Sequence, residues 1–351
     1  MYRKIKRCFA LAARPLAQKF RKRGSREHYF AGVYYSFFSS CFRREQRAVL
    51  AGHHSYEVSL SNPVGSATIL RRNTHRLEKG ILMKPRRIPF GLNYIEETVN
   101  AFCKASDEGR ISISREEFLW AHDVLVEYFD IHSEVSEVTT FRKVFDSWQI
   151  EGDIASASKR VPYLRDIESE VPVSYDSLFE LARLRRSVRW FSRRKVEREK
   201  LEKALLIAAQ SPSACNRQPF RFHFFDDDEL IRDVVSIPMG TAGYSQQIPT
   251  IAVVVGQQRH YFSERDRHVI YIDASLATMS FLFALESLGL SSCCINWPDV
   301  EEKELRLEKL IGLEADERPI MLLAIGYPDP EGMVAYSAKK SPEELSRYNL
   351  E

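Results

Sequence analysis

Arg185-Arg186-Ser187-Val188-Arg189-Trp190-Phe191 and, further on, Ser211-Pro212-Ser213-Ala214-Cys215-Asn216-Arg217-Gln218-Pro219-Phe220 are the two stretches on which the fold turns. The first sets three guanidiniums and a hydroxyl within five residues. Such a group is costly to bury unless an anion meets it, and arginine binds phosphate through a planar, bidentate fork. Taken alone, a basic run of this kind also fits a turn facing water. The second stretch is rich in small residues, amides and hydroxyls, which lets a backbone approach a flat polar ring closely. It fits an ordinary helix-to-strand loop equally well. Between the two, Val196–Gln210 carries Leu201, Ala204, Leu205 and Ala208 on one face and is predicted to be an amphipathic helix.

Outward from this pair, the C-terminal half alternates strands and helices. Phe220–Phe225 is predicted to be a short strand and Thr250–Val255, just after Pro249, a buried one. Asp273–Leu288 is apolar nearly all round, the pattern of a central core helix. Ser292–Asn296 and Ile320–Ile325 are further strands. Few connections form regular strand–helix–strand units, so an α+β sandwich is expected rather than a doubly wound sheet.

The two motifs, separated by one helix, resemble the nitroreductase family of flavoproteins, whose domain opens on Arg-x-Ser-x-Arg/Lys-x-Phe and continues to Pro-Ser-x-x-Asn-x-Gln-Pro-Trp/Phe. Arg185, Ser187, Arg189 and Phe191 match the first, and Pro212, Ser213, Asn216, Gln218, Pro219 and Phe220 the second. Leu285-Glu-Ser-Leu-Gly-Leu290 before a strand, and Ile325-Gly-Tyr-Pro328 with basic residues after it, agree as well. The resemblance covers roughly 176–351. It implies a nitroreductase-like α/β sandwich, with a mostly antiparallel central sheet flanked by helices, behind a mainly helical N-terminal region.

The resemblance also implies a site. Arg185, Arg186, Ser187 and Arg189 would hold the phosphate and ribityl chain of FMN, with Lys339 or Lys340 as a second cation where the family often has arginine. Pro212, Ser213, Ala214 and Asn216 would reach the flavin of the partner subunit, because the family binds FMN across a homodimer interface. Ile295 and Asn296 would offer backbone groups to the flavin N5 edge. The contact to the flavin pyrimidine falls to Met239–Gln247, where no single residue stands out. NADH or NADPH would reduce the flavin by hydride transfer to N5, and a small-molecule acceptor would then use the same pocket. This chemistry belongs to the cofactor, so no protein nucleophile is required. His75 and His260 have acids nearby but form no convincing triad, and both read as solvated or structural histidines.

The N-terminal half is less informative. Residues 1–47 hold thirteen Lys/Arg against two Asp/Glu, leaving 38 basic and 46 acidic residues elsewhere in the 351-residue chain. A basic head on an acidic body suits an anionic surface. Residues 1–50 read as a basic amphipathic arm, with Phe9, Ala12, Ala13, Leu16 and Phe20 at helical spacing up to Gly24. The arm either lies on an anionic membrane face or packs on its own body or a neighbouring subunit. No nucleic-acid partner is expected. No apolar run reaches the ~20 residues of a membrane span, and the start lacks a signal-peptide core, so a cytoplasmic protein is expected, peripheral at most at the inner membrane face. The cysteines Cys8, Cys41, Cys103, Cys215, Cys293 and Cys294 have no metal or disulfide spacing.

Residues 51–175 read as a helical extension and linker, with helices over Glu96–Ala105 and Glu116–His132 and a linker at 151–175, where Gly152, Pro162 and Pro172 fall. Leu70-Arg-Arg-Asn-Thr-His-Arg-Leu-Glu-Lys-Gly80 is charge-dense. It fits an anion-binding patch, or a solvated helix face with internal ion pairs closed by Gly80 as C-cap. The part from His75 to Gly80 resembles extensions on nitroreductase-like proteins associated with bacterial surface-polysaccharide genes, which implies a sugar-linked or membrane-proximal substrate. Two functions stand at this point: an NAD(P)H-driven FMN oxidoreductase, and a non-catalytic flavin-binding accessory protein that docks a partner or membrane through its basic head.

Overall fold

The computed structural model describes residues 15–61, 67–106, 113–148 and 159–349. Phe9, Ala12, Ala13 and Cys8 of the arm and Gly152 of the linker lie outside them. A helical segment over 15–24 leads into α1 (His28–Phe37), α2 (Arg43–Ser61), α3 (Thr68–Ile81), α4 (Ile95–Ser106), α5 (Arg115–Ile131) and α6 (Thr139–Asp146). Then come α7 (Tyr175–Leu184), α8 (Arg198–Ala208), β1 (Phe220–Phe225), α9 (Asp228–Val235), β2 (Thr250–Gln257), α10 (Val269–Ser287), β3 (Ser291–Asn296), α11 (Glu301–Ile311), β4 (Glu317–Gly326) and α12 (Pro342–Leu345).

The four strands form one antiparallel sheet in the order β1-β2-β4-β3. Side chains alternate between its faces, and the two cores follow that period. Ile251, Val253, Val255, Leu322 and Ala324 face one core, with Ile231, Val234 and Leu307 from α9 and α11. Ala252, Val254, Leu323 and Ile325 face the other, with Leu201, Ala204 and Ala208 of α8 and Ala274, Ala277, Phe281 and Leu285 of α10. A sheet covered on both faces needs strands without polar alternation, and Thr250–Gln257 is buried at every position. The architecture is an α+β sandwich, as the resemblance implies. Helix α10 has the length and composition of a membrane-crossing helix, yet much of it packs into this core.

The N-terminal helices have a core of their own. Leu70 and Leu77 of α3, Ile95, Val99 and Phe102 of α4, and Val124, Leu125, Tyr128 and Phe129 of α5 are packed together, with Phe145 of α6. Helix α2 runs straight through position 50. The charge-dense segment matches neither sequence expectation. It is a core helix whose arginines are met by neighbouring elements: Arg71 by Glu117, Arg72 by Glu97 and by the Tyr56 hydroxyl, and Arg76 by the face of the Tyr94 ring at 3.7 Å. Gly80 is no C-cap. It lies inside α3, which ends at Ile81. There a Cβ would stand 2.2 Å from two ring atoms of Phe90, so glycine is required by close approach of that ring.

Several contacts seat these helices on the sandwich. Arg44 pairs with Glu301 and Glu308 of α11 at 2.9 and 2.6 Å. Thr68 Oγ1 meets His260 Nδ1 at 2.9 Å in a buried bond. Gly52 passes so close to Gln258 that a Cβ would lie 2.5 Å from that residue's own Cβ.

Candidate functional site

Helix α7 ends at Leu184 with Arg185 as its C-cap, and the chain then runs beside the outer edge of β3. Ser187 forms a parallel bridge with Ser292, and the Val188 amide donates to the Ser292 carbonyl at 3.0 Å. Val188 and Phe191 point into the core and anchor the segment. This leaves Arg189, between them, exposed, while Arg185 and Arg186 just before are half-buried. Arg186 donates to the backbone carbonyl of Tyr336 at 3.1 Å and Arg189 to that of Ser187 at 3.4 Å. Both bonds go to backbone carbonyls, and among the described residues neither guanidinium forms an ion pair with a carboxylate, whereas Arg185 acts on the nearby Glu286 carboxyl. The Ser292 hydroxyl, buried beside Ser187, has no hydrogen-bond partner.

Several residues singled out from sequence converge here. Strand β3 is an edge strand, so the backbone groups of Cys294 and Asn296 that do not face β4 lie on its open edge, with the Cys294 carbonyl accepting from Cys293 Sγ at 3.7 Å. Asn296 is exposed and Ile295 buried. The bond from Arg186 to Tyr336 brings the C-terminal tail to the strip, and exposed Lys339 and Lys340 follow within four residues. The stretch Met239–Gln247 also arrives: Gly240 faces Ile295, with room for a Cβ 3.8 Å from its Cγ2. Buried Tyr244 lies under Arg189, whose guanidinium carbon is 5.9 Å from the ring centre.

Sequence reasoning missed Tyr244, Cys293 and Glu286. The Tyr244 hydroxyl lies 3.9 Å from Cys293 Sγ, and burial pushes its pKa up to about 12, with Cys293 adding to the rise. Glu286, near the end of α10, is pushed up to about 7 by burial, while the charge of Arg185 and a bond from Ser291 act in the opposite direction. One of its carboxylate oxygens is buried without a partner. The signal for Glu286 was present: an acid at the penultimate position of a mainly apolar helix whose other acid is Asp273.

Pro212, Ser213, Ala214 and Asn216 do not reach this strip within one chain. Their loop rides on the first half of α10. Asp273 Oδ2 accepts from the Ala214 amide at 2.9 Å, and the Ser211 hydroxyl meets that of Ser280 at 2.7 Å. Asp273 and Glu286 are thirteen residues apart on one helix, so the Ala214 contact stands about 20 Å along it from Glu286. The loop is under strain. Cys215, Asn216 and Gln218 all have φ near +50°, a region that costs non-glycine residues of order 1–3 kcal/mol each. It is tied by the Ser213 hydroxyl, which accepts from the Gln218 amide at 3.1 Å, and by the Gln218 side-chain amide donating to Asn216 Oδ1 at 3.3 Å. No group of His, Cys, Asp and Glu suited to a metal occurs among the described residues, and no disulfide joins the described cysteines.

Comparison with known proteins matches this architecture. The sequence model of the nitroreductase family matches residues 182–247 and 237–327. A protein of Archaeoglobus fulgidus named among the NADH dehydrogenase/NAD(P)H nitroreductases is 29% identical over 148 residues, covering 42% of this chain and 83% of its own. An iodotyrosine deiodinase of Thermotoga neapolitana is 29% identical over 176 residues, 43% of this chain and 89% of its own. Human iodotyrosine deiodinase 1 is 23% identical over 256 residues, 64% of this chain and 84% of its own. Among solved structures, an FMN-dependent nitroreductase of Clostridium difficile superposes with a TM-score of 0.43 at 22% identity, over 49% of this chain and 98% of its own. The C-terminal sandwich, over residues 182–327, matches the nitroreductase family, and a helical N-terminal region stands in front of it.

Proposed function

We propose that residues 176–351 bind FMN and act as an oxidoreductase driven by NADH or NADPH, as a homodimer, with residues 51–175 as a helical extension. The observation that carries this reading is the strip Arg185–Arg189, in which Arg186 and Arg189 bond to backbone carbonyls rather than to carboxylates, set beside the open edge of β3 and the partnerless Ser292 hydroxyl. A phosphate fits that combination: arginine forks supply charge-assisted bonds and a buried hydroxyl gains a partner. In this reading Arg185, Arg186, Ser187 and Arg189 hold the phosphate end, with Lys339 or Lys340 adding charge, and Asn296 presents edge-strand backbone to the ring, whereas Ile295, expected to do so from sequence, turns its backbone toward β4. When bound, FMN supplies the hydride-accepting chemistry; the chain orients it and excludes water.

The separation along α10 between Glu286, beside Arg185, and Asp273, which holds Ala214, supports a dimer in which the loop serves the flavin of the other chain. Helix α10 leaves Ile272, Leu276 and Met279 exposed on one stripe, and α7 has no buried residue, with Tyr175, Leu178, Phe179 and Leu184 all exposed. Such a contiguous apolar face suits a second copy of the chain. The relatives' names divide between nitroreduction and iodotyrosine deiodination. We therefore propose reduction of a small-molecule acceptor without choosing among acceptor classes. The test is the spectrum of purified protein: oxidised-flavin absorbance that bleaches anaerobically with NADH or NADPH. A bound flavin that neither nicotinamide reduces would overturn the catalytic reading and leave the accessory one.

A second reading concerns the basic head. In α1, His28–Phe37, no residue is buried although most are aromatic or apolar, and Lys19, Arg21, Lys22 and Arg23 beside it are exposed. That pairing supports docking on an anionic membrane, and flotation with anionic against neutral vesicles tests it. Equal flotation with both would sink it.

A further inference from the structure

Helix α3 belongs to the N-terminal extension, yet it touches the loop that follows Pro212. Arg71 makes the link. Its Nε and Nη2 both reach Glu117 Oε1, at 2.6 and 2.5 Å, and its Nη1 donates to the backbone carbonyl of Arg217 at 3.3 Å. Glu117 is fixed in turn, because it lies in the first turn of α5 with its amide on the Ser114 N-cap hydroxyl at 3.2 Å. Arg217 is 6% exposed and sits over the Tyr261 ring, 5.0 Å from its centre, with Nη1 donating to the Ala214 carbonyl at 3.4 Å. The Tyr261 hydroxyl donates to Asp273 Oδ2 at 3.2 Å, and that same oxygen holds the Ala214 amide. Both the amide and the carbonyl of Ala214 are therefore gripped. One grip comes from α10, and the other comes through Arg217 from a residue outside the sandwich.

Residues held in strained backbone conformations persist only when their surroundings over-determine them. Cys215, Asn216 and Gln218 flank or adjoin Arg217 in the chain, and all three have positive φ. The Arg217 carbonyl is thus a point at which one donor fixes the loop. The seating of α2 and α3 on the sandwich, through Thr68 with His260 and Gly52 with Gln258, sets the position from which that donor acts.

We propose that Arg71 is a positioning residue of the cofactor site. The N-terminal extension, through Glu117 and Arg71, holds the 214–218 loop in the shape in which Pro212, Ser213, Ala214 and Asn216 meet a flavin. The extension is then a working part of the flavin domain rather than an appended module. The consequence for flavin rests on the function proposed above, whereas the brace itself does not.

The test uses the full chain with Arg71→Ala, Arg71→Lys and Glu117→Gln. Hydrogen exchange of segment 211–219 is followed in protein stripped of flavin, and FMN affinity is measured by fluorescence titration. Arg71→Ala is expected to speed exchange of 211–219 by about tenfold, the loss of one charge-assisted bond, and to weaken FMN by a similar factor. Helices α4 and α5 should keep their exchange rates. Glu117→Gln, which retains a hydrogen bond but no charge, should fall between wild type and Arg71→Ala, and Arg71→Lys should rescue only part. Unchanged exchange in 211–219, or an equal acceleration throughout α4 and α5, overturns the brace. Faster exchange with unchanged FMN affinity overturns the role in the cofactor site. If the wild type binds no FMN, the flavin reading fails, and exchange in the stripped protein still decides the brace.

Discussion

Asp273 and Ala214 are joined by a carboxylate-to-amide bond of 2.9 Å that fastens the 211–219 loop to the central helix. The same oxygen accepts from the Tyr261 hydroxyl, and Asp273 is 4% exposed. Asp273→Ala therefore leaves two buried donors without an acceptor, at about 1–3 kcal/mol each. A clear drop in melting temperature is expected, together with loss of flavin on gel filtration. Asp273→Asn keeps one acceptor oxygen and should lose less on both measures. An unchanged melting temperature in Asp273→Ala would show that the bond contributes nothing.

Arg185→Ala combined with Arg189→Ala removes two of the strip's guanidiniums. Charge-assisted bonds contribute about 1.5–3 kcal/mol each, so FMN affinity should fall at least about tenfold per lost contact. Flavin content after dialysis measures it. Full retention would place the phosphate elsewhere.

His260 is pulled down to about 3, first by burial and then by the charges of Arg71, Arg259, Arg217 and Arg221. The unfolded chain takes up its proton near the ordinary value of about 6.5, while the native ring stays neutral. Its contribution is thus fully present above that value and is lost as pH falls from there toward 3. His260→Gln should show a flatter decline of melting temperature across that window than wild type. Parallel declines would remove His260 as the cause.

Glu286 has the opposite sign to the usual carboxylate. Its native pKa is raised to about 7, so the native state holds a proton that the unfolded chain releases from about 4.3 upward. The resulting penalty is absent below that value and complete above about 7. Glu286→Gln should melt higher than wild type at pH 8 and no higher at pH 4, and a constant difference would refute the assignment.

Gly80→Ala sets two effects against each other. Alanine is favoured over glycine inside a helix by about 1 kcal/mol. Yet its Cβ would lie 2.2 Å from the Phe90 ring, which packs edge-on against Tyr128 at 5.3 Å and so cannot swing freely. Overpacking costs about 1–3 kcal/mol, so net destabilisation is expected, read by denaturant titration. A more stable variant would mean that Phe90 moves at little cost.

The strands of the sandwich were readable because a sheet buried on both faces demands near-continuous apolar runs, and β2 and β4 supply them. The arginine strip and the loop after Ser211 were readable because their residue types and spacing are unusual together. Tyr244 and Cys293 were not, since an aromatic and a thiol in apolar context read simply as core. Likewise α3 misled in both directions: its charges suggested either a ligand patch or open water, and its partners Glu97 and Glu117 lie 25 and 46 residues away. Local pattern thus determined the elements and the two motifs. Only tertiary packing decided that Arg71 acts on the loop at Arg217, and that the strip and the loop occupy opposite ends of α10, because both depend on contacts between segments that no spacing along the chain encodes.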